Sequence, residues 1–266
     1  MDAWNILLPG FVMSALMIVT HTYLGLHVLA RGIIFVDLAL AQMAALGVSL
    51  AFLLGAEPHG YTAQLYALAT TLTAAFAFAG LRRVQGKVTR EVIIGCVYVV
   101  ATALSIVILS RSSQGMEELR SLFNGNILWV RWEEIAFVAV VYAALALLHA
   151  IFRKRFYALS FTDDNAPSFL WECLFFVSFA IVITLAVNIA GILLVFAFLI
   201  IPAFSASLIA ESLLGRLLVG WGLGLLGAVA GLWLSFTADL PVGATVVSVA
   251  GLLPLIGVGY KMATNR

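Results

Sequence analysis

The sequence predicts an all-α, polytopic integral membrane protein built as a helical bundle. Of its 266 residues, 64% are hydrophobic and only 10% are charged, whereas ordinary soluble domains carry about 25% charged residues. Charged residues are sparse along the whole chain, so we expect a single transmembrane domain over residues 1–266 rather than a soluble domain with an anchor. The net charge of +1 gives no reason to expect binding to nucleic acid.

Nine apolar segments approach or exceed the roughly 20 helical residues that are needed to cross a bilayer. They cover about residues 5–29, 33–55, 61–81, 91–110, 133–152, 170–190, 191–210, 217–236 and 242–260. The segment 191–210 follows its predecessor with almost no connector and carries a proline in its middle. Because proline lacks an N–H and clashes with the carbonyl four residues earlier, we predict a helix break at Pro202. We predict a second break at Gly191, where the apolar run is interrupted. If this segment re-enters the bilayer instead of crossing it, eight full spans remain.

The basic residues predict the orientation, because short cytoplasmic loops are enriched in Lys and Arg. With the N-terminus outside and the C-terminus inside, three of the 14 Lys and Arg residues, Arg111, Arg120 and Arg131, fall outside. The inner residues are Arg31, Arg82, Arg83, Lys87, Arg90, Arg153, Lys154, Arg155, Arg216, Lys261 and Arg266. Residues 111–132 are too polar to span. Their apolar residues recur at helical spacing, which favours an amphipathic helix on the outer face over a plain loop.

Asp37, Gln42 and His27 are the candidate residues of a substrate pathway. A carboxylate inside a bilayer costs at least about 2.5–3.5 kcal/mol, so Asp37 is expected to face the bundle or a wet cavity. The alternative is an interfacial Asp37 that pairs with Arg31. Gln42 lies five residues further along, on a neighbouring face of the same helix. His27 lies near the end of the first segment, where its proximity to Arg31 also fits an interfacial position.

The segment after the charged patch at residues 211–216 carries a stripe of glycines. Gly220, Gly224 and Gly227 are spaced by four and three residues, and Gly231 extends the same face. Small residues allow membrane helices to approach closely. We therefore predict that this stripe is a helix-packing surface rather than part of a substrate site.

The sequence contains no motif of a soluble enzyme and no glycine-rich phosphate loop ending in Lys-Ser or Lys-Thr. We expect no catalytic residues and no cofactor bound by this chain, so transport would be driven by an ion gradient or by another subunit. An ion-coupled secondary transporter is one alternative, although such proteins usually show broken helices in two related halves. A lipid-modifying membrane enzyme is another, although the acidic residues predicted at the inner face are scattered.

Several short motifs follow one another along nearly the whole chain. They include Gly25-Leu-His-Val-Leu-Ala-Arg31, Glu91-Val-Ile-Ile-Gly95, Leu122-Phe-Asn-Gly125-Asn-Ile-Leu128, Leu199-Ile-Ile-Pro202-Ala-Phe-Ser-Ala206 and Asp239-Leu-Pro-Val-Gly-Ala244. In this order the chain resembles the ABC-3 family, the membrane permeases of zinc, manganese and iron ABC importers.

The resemblance implies a permease of a prokaryotic cytoplasmic membrane that imports a divalent metal ion (zinc, manganese or iron) or a metal chelate. It also implies the partners, which are a second copy of the chain, a cytoplasmic ATP-binding subunit and an extracytoplasmic substrate-binding protein. ATP would be used by the partner subunit. By position, the ATPase-docking surface would lie at 210–216, with Glu211, Ser212, Gly215 and Arg216 as candidates.

The second segment departs from the family pattern. Where the family typically has Gly-Asp-Ala-Leu-Ser-His, this chain reads Asp37-Leu-Ala-Leu-Ala-Gln42, so Leu38 takes the Asp position and Gln42 the His position. A Gln amide is a poor ligand for first-row divalent metals. Asp37 is therefore the candidate metal ligand, with shifted geometry, unless the substrate is a different metal or a chelate.

Overall fold

The computed structural model describes residues 3–57, 60–81, 87–111, 115–125, 127–162 and 168–263, and these ranges contain helices and no strand. The all-α prediction is confirmed. In chain order the helices are α1 (Ala3–Arg31), α2 (Val36–Leu53), α3 (Tyr61–Gly80), α4 (Lys87–Leu109), α5 (Gly115–Asn124), a 3-10 helix (Ile127–Trp129), α6 (Trp132–Ile151), α7 (Arg153–Phe161), α8 (Phe169–Ile209), α9 (Leu213–Ala238), α10 (Val242–Ala250) and α11 (Leu253–Ala263).

Eight helical stretches in the described part of the chain are long and apolar enough to cross a membrane. They are α1 from Leu7 onward, α2, α3, α4 from Thr89 onward, α6, α8, α9, and α10 together with α11. Helix α8 has 41 residues, which is about twice the roughly 20 residues that one crossing needs. It contains both predicted segments 170–190 and 191–210. The number of crossings and their orientation stay predictions.

The backbone of α8 leaves the helical region at Gly191, where φ is 77° and ψ is 162°. A positive φ strongly favours glycine, so the sequence signal at this position has a clear backbone cause. The predicted break at Pro202 is wrong, because the helix continues through it to Ile209. Proline removes only one backbone hydrogen bond here, and Gly220 and Gly224 of α9 pack directly against Pro202. Membrane helices tolerate proline where neighbouring helices support it.

The chain falls into two compact units, each assembled from separate segments. Unit 1 contains Met1–Leu29, Asn124–Ala144 and Ile189–Arg266, and unit 2 contains Ala30–Phe123 and Leu145–Asn188. The segments alternate along the sequence, so neither unit is a continuous stretch of chain. The single domain over residues 1–266 stays a prediction.

Unit 1 is packed around glycines of α1 and α9. A Cβ added at Gly25 would lie 2.1 Å from the Leu199 carbonyl oxygen, and one added at Gly220 would lie 2.6 Å from Thr22 Cγ2. At Gly231 the added atom would lie 2.6 Å from Val246 Cα. The glycine stripe of α9 is therefore a helix-packing surface, as the spacing predicts.

A second close approach in unit 1 joins the connection after α5 to two other elements. Gly125 has a φ of 61°, and a Cβ there would lie 2.0 Å from the Ala190 carbonyl carbon, beside the break at Gly191. A Cβ on Gly243, in the first turn of α10, would lie 2.6 Å from the Asn124 carbonyl oxygen. Three motifs that are far apart in the sequence thus meet through backbone contacts.

In unit 2, α2 packs against both α3 and α4. A Cβ at Gly47 would lie 2.5 Å from the Tyr66 carbonyl oxygen, and the Thr70 hydroxyl donates to the Met43 carbonyl at 2.6 Å. Such interhelical hydrogen bonds and close backbone approaches hold membrane helices together. Helix α5 forms within the stretch that was predicted to be amphipathic. Its Leu122 is buried, whereas its Arg120 is exposed.

Substitutions in the glycine stripe test the packing of unit 1. Gly231→Ala should lower the free energy of unfolding by about 1–3 kcal/mol, since its new methyl group meets the α10 backbone. Gly222→Ala, on the same helix, is the control because no atom lies within 4 Å of its added Cβ. Thermal unfolding in detergent measures both, and equal melting temperatures for the two variants would contradict the packing account.

Candidate functional site

The start of α2 is held by side chains from other helices of unit 2. Gly32, with a φ of 64°, begins the turn between α1 and α2. Glu91 of α4 accepts a hydrogen bond from the backbone N–H of Phe35 at 2.9 Å. This N–H lies at the helix N-terminus and has no partner within the helix, so the carboxylate satisfies it from outside.

Arg31, the last residue of α1, forms an ion pair with Glu172 in the first turn of α8. The exposed fraction is 10% for the arginine side chain and 2% for the glutamate side chain. The guanidinium carbon also lies 4.7 Å from the ring centroid of Phe175 and 5.0 Å from that of Phe176. Cation–π contacts of this kind add to the attraction between the charges.

Asp37 lies in the first turn of α2 and is completely buried. Neither carboxylate oxygen has a hydrogen-bond partner among the residues that the structure describes. The alternative of an interfacial Asp37 paired with Arg31 is therefore wrong, since Arg31 is taken by Glu172. The positive end of the α2 dipole favours a negative charge in this turn. An unpaired buried carboxylate is still costly, so a bound cation or proton at Asp37 would lower this cost.

Gln42 is also buried, with 1% of its surface exposed, and its Nε2 has no partner in the described part of the chain. Five residues along a helix place Gln42 about 140° around the axis from Asp37 and about 7.5 Å along it. The two side chains are thus not a ready-made pair of ligands. Within the described residues, no group of three or more His, Cys, Asp and Glu residues is arranged to hold a metal ion.

His27 belongs to unit 1, whereas Asp37 and Gln42 belong to unit 2. It is buried, with 1% of its surface exposed. Its ring meets the ring of Tyr23 edge to face, with centroids 4.7 Å apart. This contact gives His27 a packing role, and its place in a pathway stays a prediction.

The four candidate docking residues lie together at the junction of α8 and α9. Ser212 caps α9 by accepting a hydrogen bond from the Gly215 backbone N–H at 3.1 Å. Arg216 Nε donates to the Ala210 carbonyl oxygen at 3.0 Å, so the side chain closes the turn. Glu211 and Ser212 are exposed. The junction is thus a compact, ordered turn with a charged edge.

Sequence reasoning missed three residues in these regions. Leu214, which is 65% exposed in the first turn of α9, adds an apolar side chain to the surface of the α8–α9 junction. Glu172 and Glu91 were not chosen because their partners, Arg31 and Phe35, lie 141 and 56 residues away in the chain. Pairs at such separations carry no local pattern.

The contacts of Glu172 and Glu91 bring together three connections that were all predicted to face inward. They join the α1–α2 turn to the start of α4 and to the start of α8. The predicted orientation requires these three connections to lie at the same end of unit 2, as they do. The side of the membrane that this end faces stays a prediction. Of the inner basic residues, Arg82, Arg83 and Arg266 lie outside the described residues.

Comparison with known proteins gives a consistent result. Residues 3–261 match the ABC 3 transport family. The manganese transport system membrane protein MntC of Listeria innocua is 26% identical over 254 residues, which is 92% of this chain and 88% of that protein. The chelated iron transport system membrane protein YfeC of Yersinia pestis is 23% identical over 258 residues, which is 94% of this chain and 84% of that protein.

The fold is also similar to a solved structure, PsaBC from Streptococcus pneumoniae in complex with a Fab. The TM-score is 0.77 at 24% sequence identity, and the match covers 96% of this chain and 92% of the solved chain. At this level of identity the likeness shows the fold.

The buried ion pair yields a stability prediction. Arg31→Ala should lower the free energy of unfolding by about 3–5 kcal/mol, because it leaves the Glu172 carboxylate buried without its partner. Glu133→Gln is the control, since its pair with Arg131 is exposed and should contribute about 0–1 kcal/mol. Thermal unfolding in detergent distinguishes them, and a small, equal effect of both substitutions would refute a stabilising role of the buried pair.

Proposed function

The chain belongs to the ABC 3 transport family, and we propose that it is the permease subunit of an ATP-driven importer of a divalent metal ion or metal chelate. Manganese, iron and zinc are the proposed metals. The match over residues 3–261 carries the proposal. Relatives named for manganese and chelated iron transport support the substrate class. The buried, unpaired carboxylate of Asp37 supports a cation rather than an anion.

The chain is a membrane transport subunit, and we propose that ATP hydrolysis occurs on a separate cytoplasmic subunit. That subunit would dock on the edge formed by Glu211, Ser212, Leu214, Gly215 and Arg216. A second copy of the chain would complete the permease, and an extracytoplasmic binding protein would deliver the substrate. The proposed orientation has the N-terminus outside and the C-terminus inside the cytoplasmic membrane of a prokaryote.

In this proposal Asp37 is the residue that the metal meets inside the membrane. A divalent cation would neutralise the buried carboxylate and offset the free energy of its desolvation. The amide oxygen of Gln42 is a weaker second donor, and His27 is a further candidate along the pathway. A weak site is an advantage for a transporter, because the ion must leave as readily as it enters.

The family match also bears on the two alternative functions. An ion-coupled secondary transporter and a lipid-modifying enzyme each lack support from the match over residues 3–261, which points to a partner ATPase. Acidic residues at one face would be needed for the enzyme. Of the acidic residues in unit 2, Glu91 and Glu172 are engaged with Phe35 and Arg31.

The metal role of Asp37 is tested by Asp37→Asn in the complex with its ATPase and binding protein. Removing the charge at constant shape should reduce metal uptake into proteoliposomes by roughly tenfold or more, equivalent to about 1.4 kcal/mol. Ser49→Ala is the control on the same helix, since the Ser49 hydroxyl bonds only the Ala45 carbonyl in the described structure. Normal uptake kinetics in an assembled Asp37→Asn complex would remove Asp37 from the pathway.

The docking surface is tested by Glu211→Lys and Arg216→Glu. Both substitutions should lower substrate-stimulated ATP hydrolysis severalfold, because the changed charges lie on an edge of the α8–α9 turn. The purified Glu211→Lys permease should keep its melting temperature, since Glu211 is exposed, whereas Arg216→Glu also loses the hydrogen bond to the Ala210 carbonyl. Glu133→Lys, at an exposed position on α6, is the control. Co-purification with the ATPase and full stimulated activity in both docking variants would show that the ATPase binds elsewhere.

A further inference from the structure

Several buried hydroxyl groups in the described spans bond the carbonyl four residues earlier, whereas two neighbouring side chains of α1 each leave a polar atom without a partner. Ser14, Ser105 and Thr184 each donate to the carbonyl four residues earlier, at 2.8–2.9 Å. The ring atom Nε2 of His21 and the hydroxyl of Thr22 are buried with no hydrogen-bond partner among the described residues. Among the described residues of unit 1, these are the two buried side-chain atoms that lack a hydrogen-bond partner. A buried polar group without a partner costs free energy, because it has given up its hydrogen bonds to water.

The hydrogen bond of His21 fixes its tautomer. Nδ1 lies 2.8 Å from the Met17 carbonyl oxygen, and a carbonyl oxygen only accepts, so Nδ1 carries the proton. In the neutral imidazole Nε2 is then left as a bare lone pair. Donation of one ring N–H to a backbone carbonyl, with the other nitrogen open, is the arrangement that orients histidine ligands in metal sites.

The part of α1 around His21 packs closely against α9 within unit 1. Gly224 packs under Ile18, and Gly220 packs under Thr22. Trp221 Nε1 donates to the Val19 carbonyl at 3.1 Å. These contacts on both sides of His21 in the sequence keep the position of α1 fixed. The imidazole is therefore placed by the packing of α1 and by its own bond to Met17, which is the kind of preorganisation that a ligand needs.

Tyr142 of α6 is the aromatic neighbour of His21. The ring centroids lie 6.2 Å apart with an interplanar angle of 52°, and Tyr142 is 3% exposed. An apolar ring or a leucine would fill this completely buried position as well as a histidine does. Packing therefore does not explain a histidine whose second ring nitrogen has no partner.

We propose that Nε2 of His21 is a nitrogen ligand that the transported divalent metal meets within unit 1. This inference rests on the proposed function. Imidazole suits zinc and iron, whereas carboxylate and carbonyl oxygens suit manganese. A nitrogen donor on α1 therefore extends the range of the transporter toward zinc and iron. One nitrogen from the protein gives a weak, transient contact, as a pathway requires.

The test compares His21→Cys with His21→Ser in the complete complex with the ATPase and binding protein. The two variants have nearly the same shape, so they share any folding defect, but only the thiolate binds zinc well. Zinc uptake should fall about tenfold or more in His21→Ser and recover in His21→Cys, with a smaller loss of manganese uptake in both. Ser14→Ala, one buried hydroxyl earlier on the same helix, should leave uptake of both metals unchanged.

A second measurement does not depend on transport. X-ray absorption spectra of the zinc-loaded permease should show a nitrogen scatterer in the wild type that becomes sulfur in His21→Cys. Equal zinc uptake by wild type and His21→Ser, or zinc spectra unchanged by His21→Cys, would overturn the inference while leaving the importer intact. A wild-type complex that carries neither metal nor chelate would instead overturn the proposed function.

Discussion

The structure depends on satisfying polar groups inside an apolar chain. In a bilayer an unpaired polar group cannot turn to water, so each one must find a partner within the protein. Most described hydroxyls in the spans bond their own helix, and the buried ion pair of Arg31 with Glu172 is reinforced by two phenylalanine rings. Against this background the open groups of Asp37, Gln42 and His21 stand out, because each side chain has a buried nitrogen or oxygen atom without a partner among the described residues.

Close packing of the helices fixes the positions of these polar side chains. Glycines at Gly25 and Gly220 let α1 approach α8 and α9 to distances that no Cβ would allow. Gly47 does the same between α2 and α3. Helices locked in this way present fixed side chains, which matters for a pathway whose donors are few. In the proposed mechanism, the movement would come from an ATPase that acts on the α8–α9 turn rather than from loose side chains.

Much of the fold could be predicted from local signals. Apolar length, the amphipathic pattern that became α5, and the glycine stripe of α9 each depend on residues a few positions apart. The helix break predicted at Pro202 was wrong because the effect of this proline depends on its neighbours in α9, which the local sequence does not show. The partner of Arg31 was missed because Glu172 is 141 residues away. Asp37 and Gln42 were found from polarity in an apolar segment, but their lack of partners could be seen only once the helices were packed.

The most direct test of the central claim is ATP-dependent metal uptake by the complete transporter in proteoliposomes. The permease would be reconstituted with its ATPase and binding protein, and elemental analysis would follow manganese, iron and zinc, free and chelated. The account predicts ATP-dependent accumulation of at least one of these metals inside the vesicles. A complex that hydrolyses ATP and accumulates none of them, in either form, would contradict the assignment of a metal substrate.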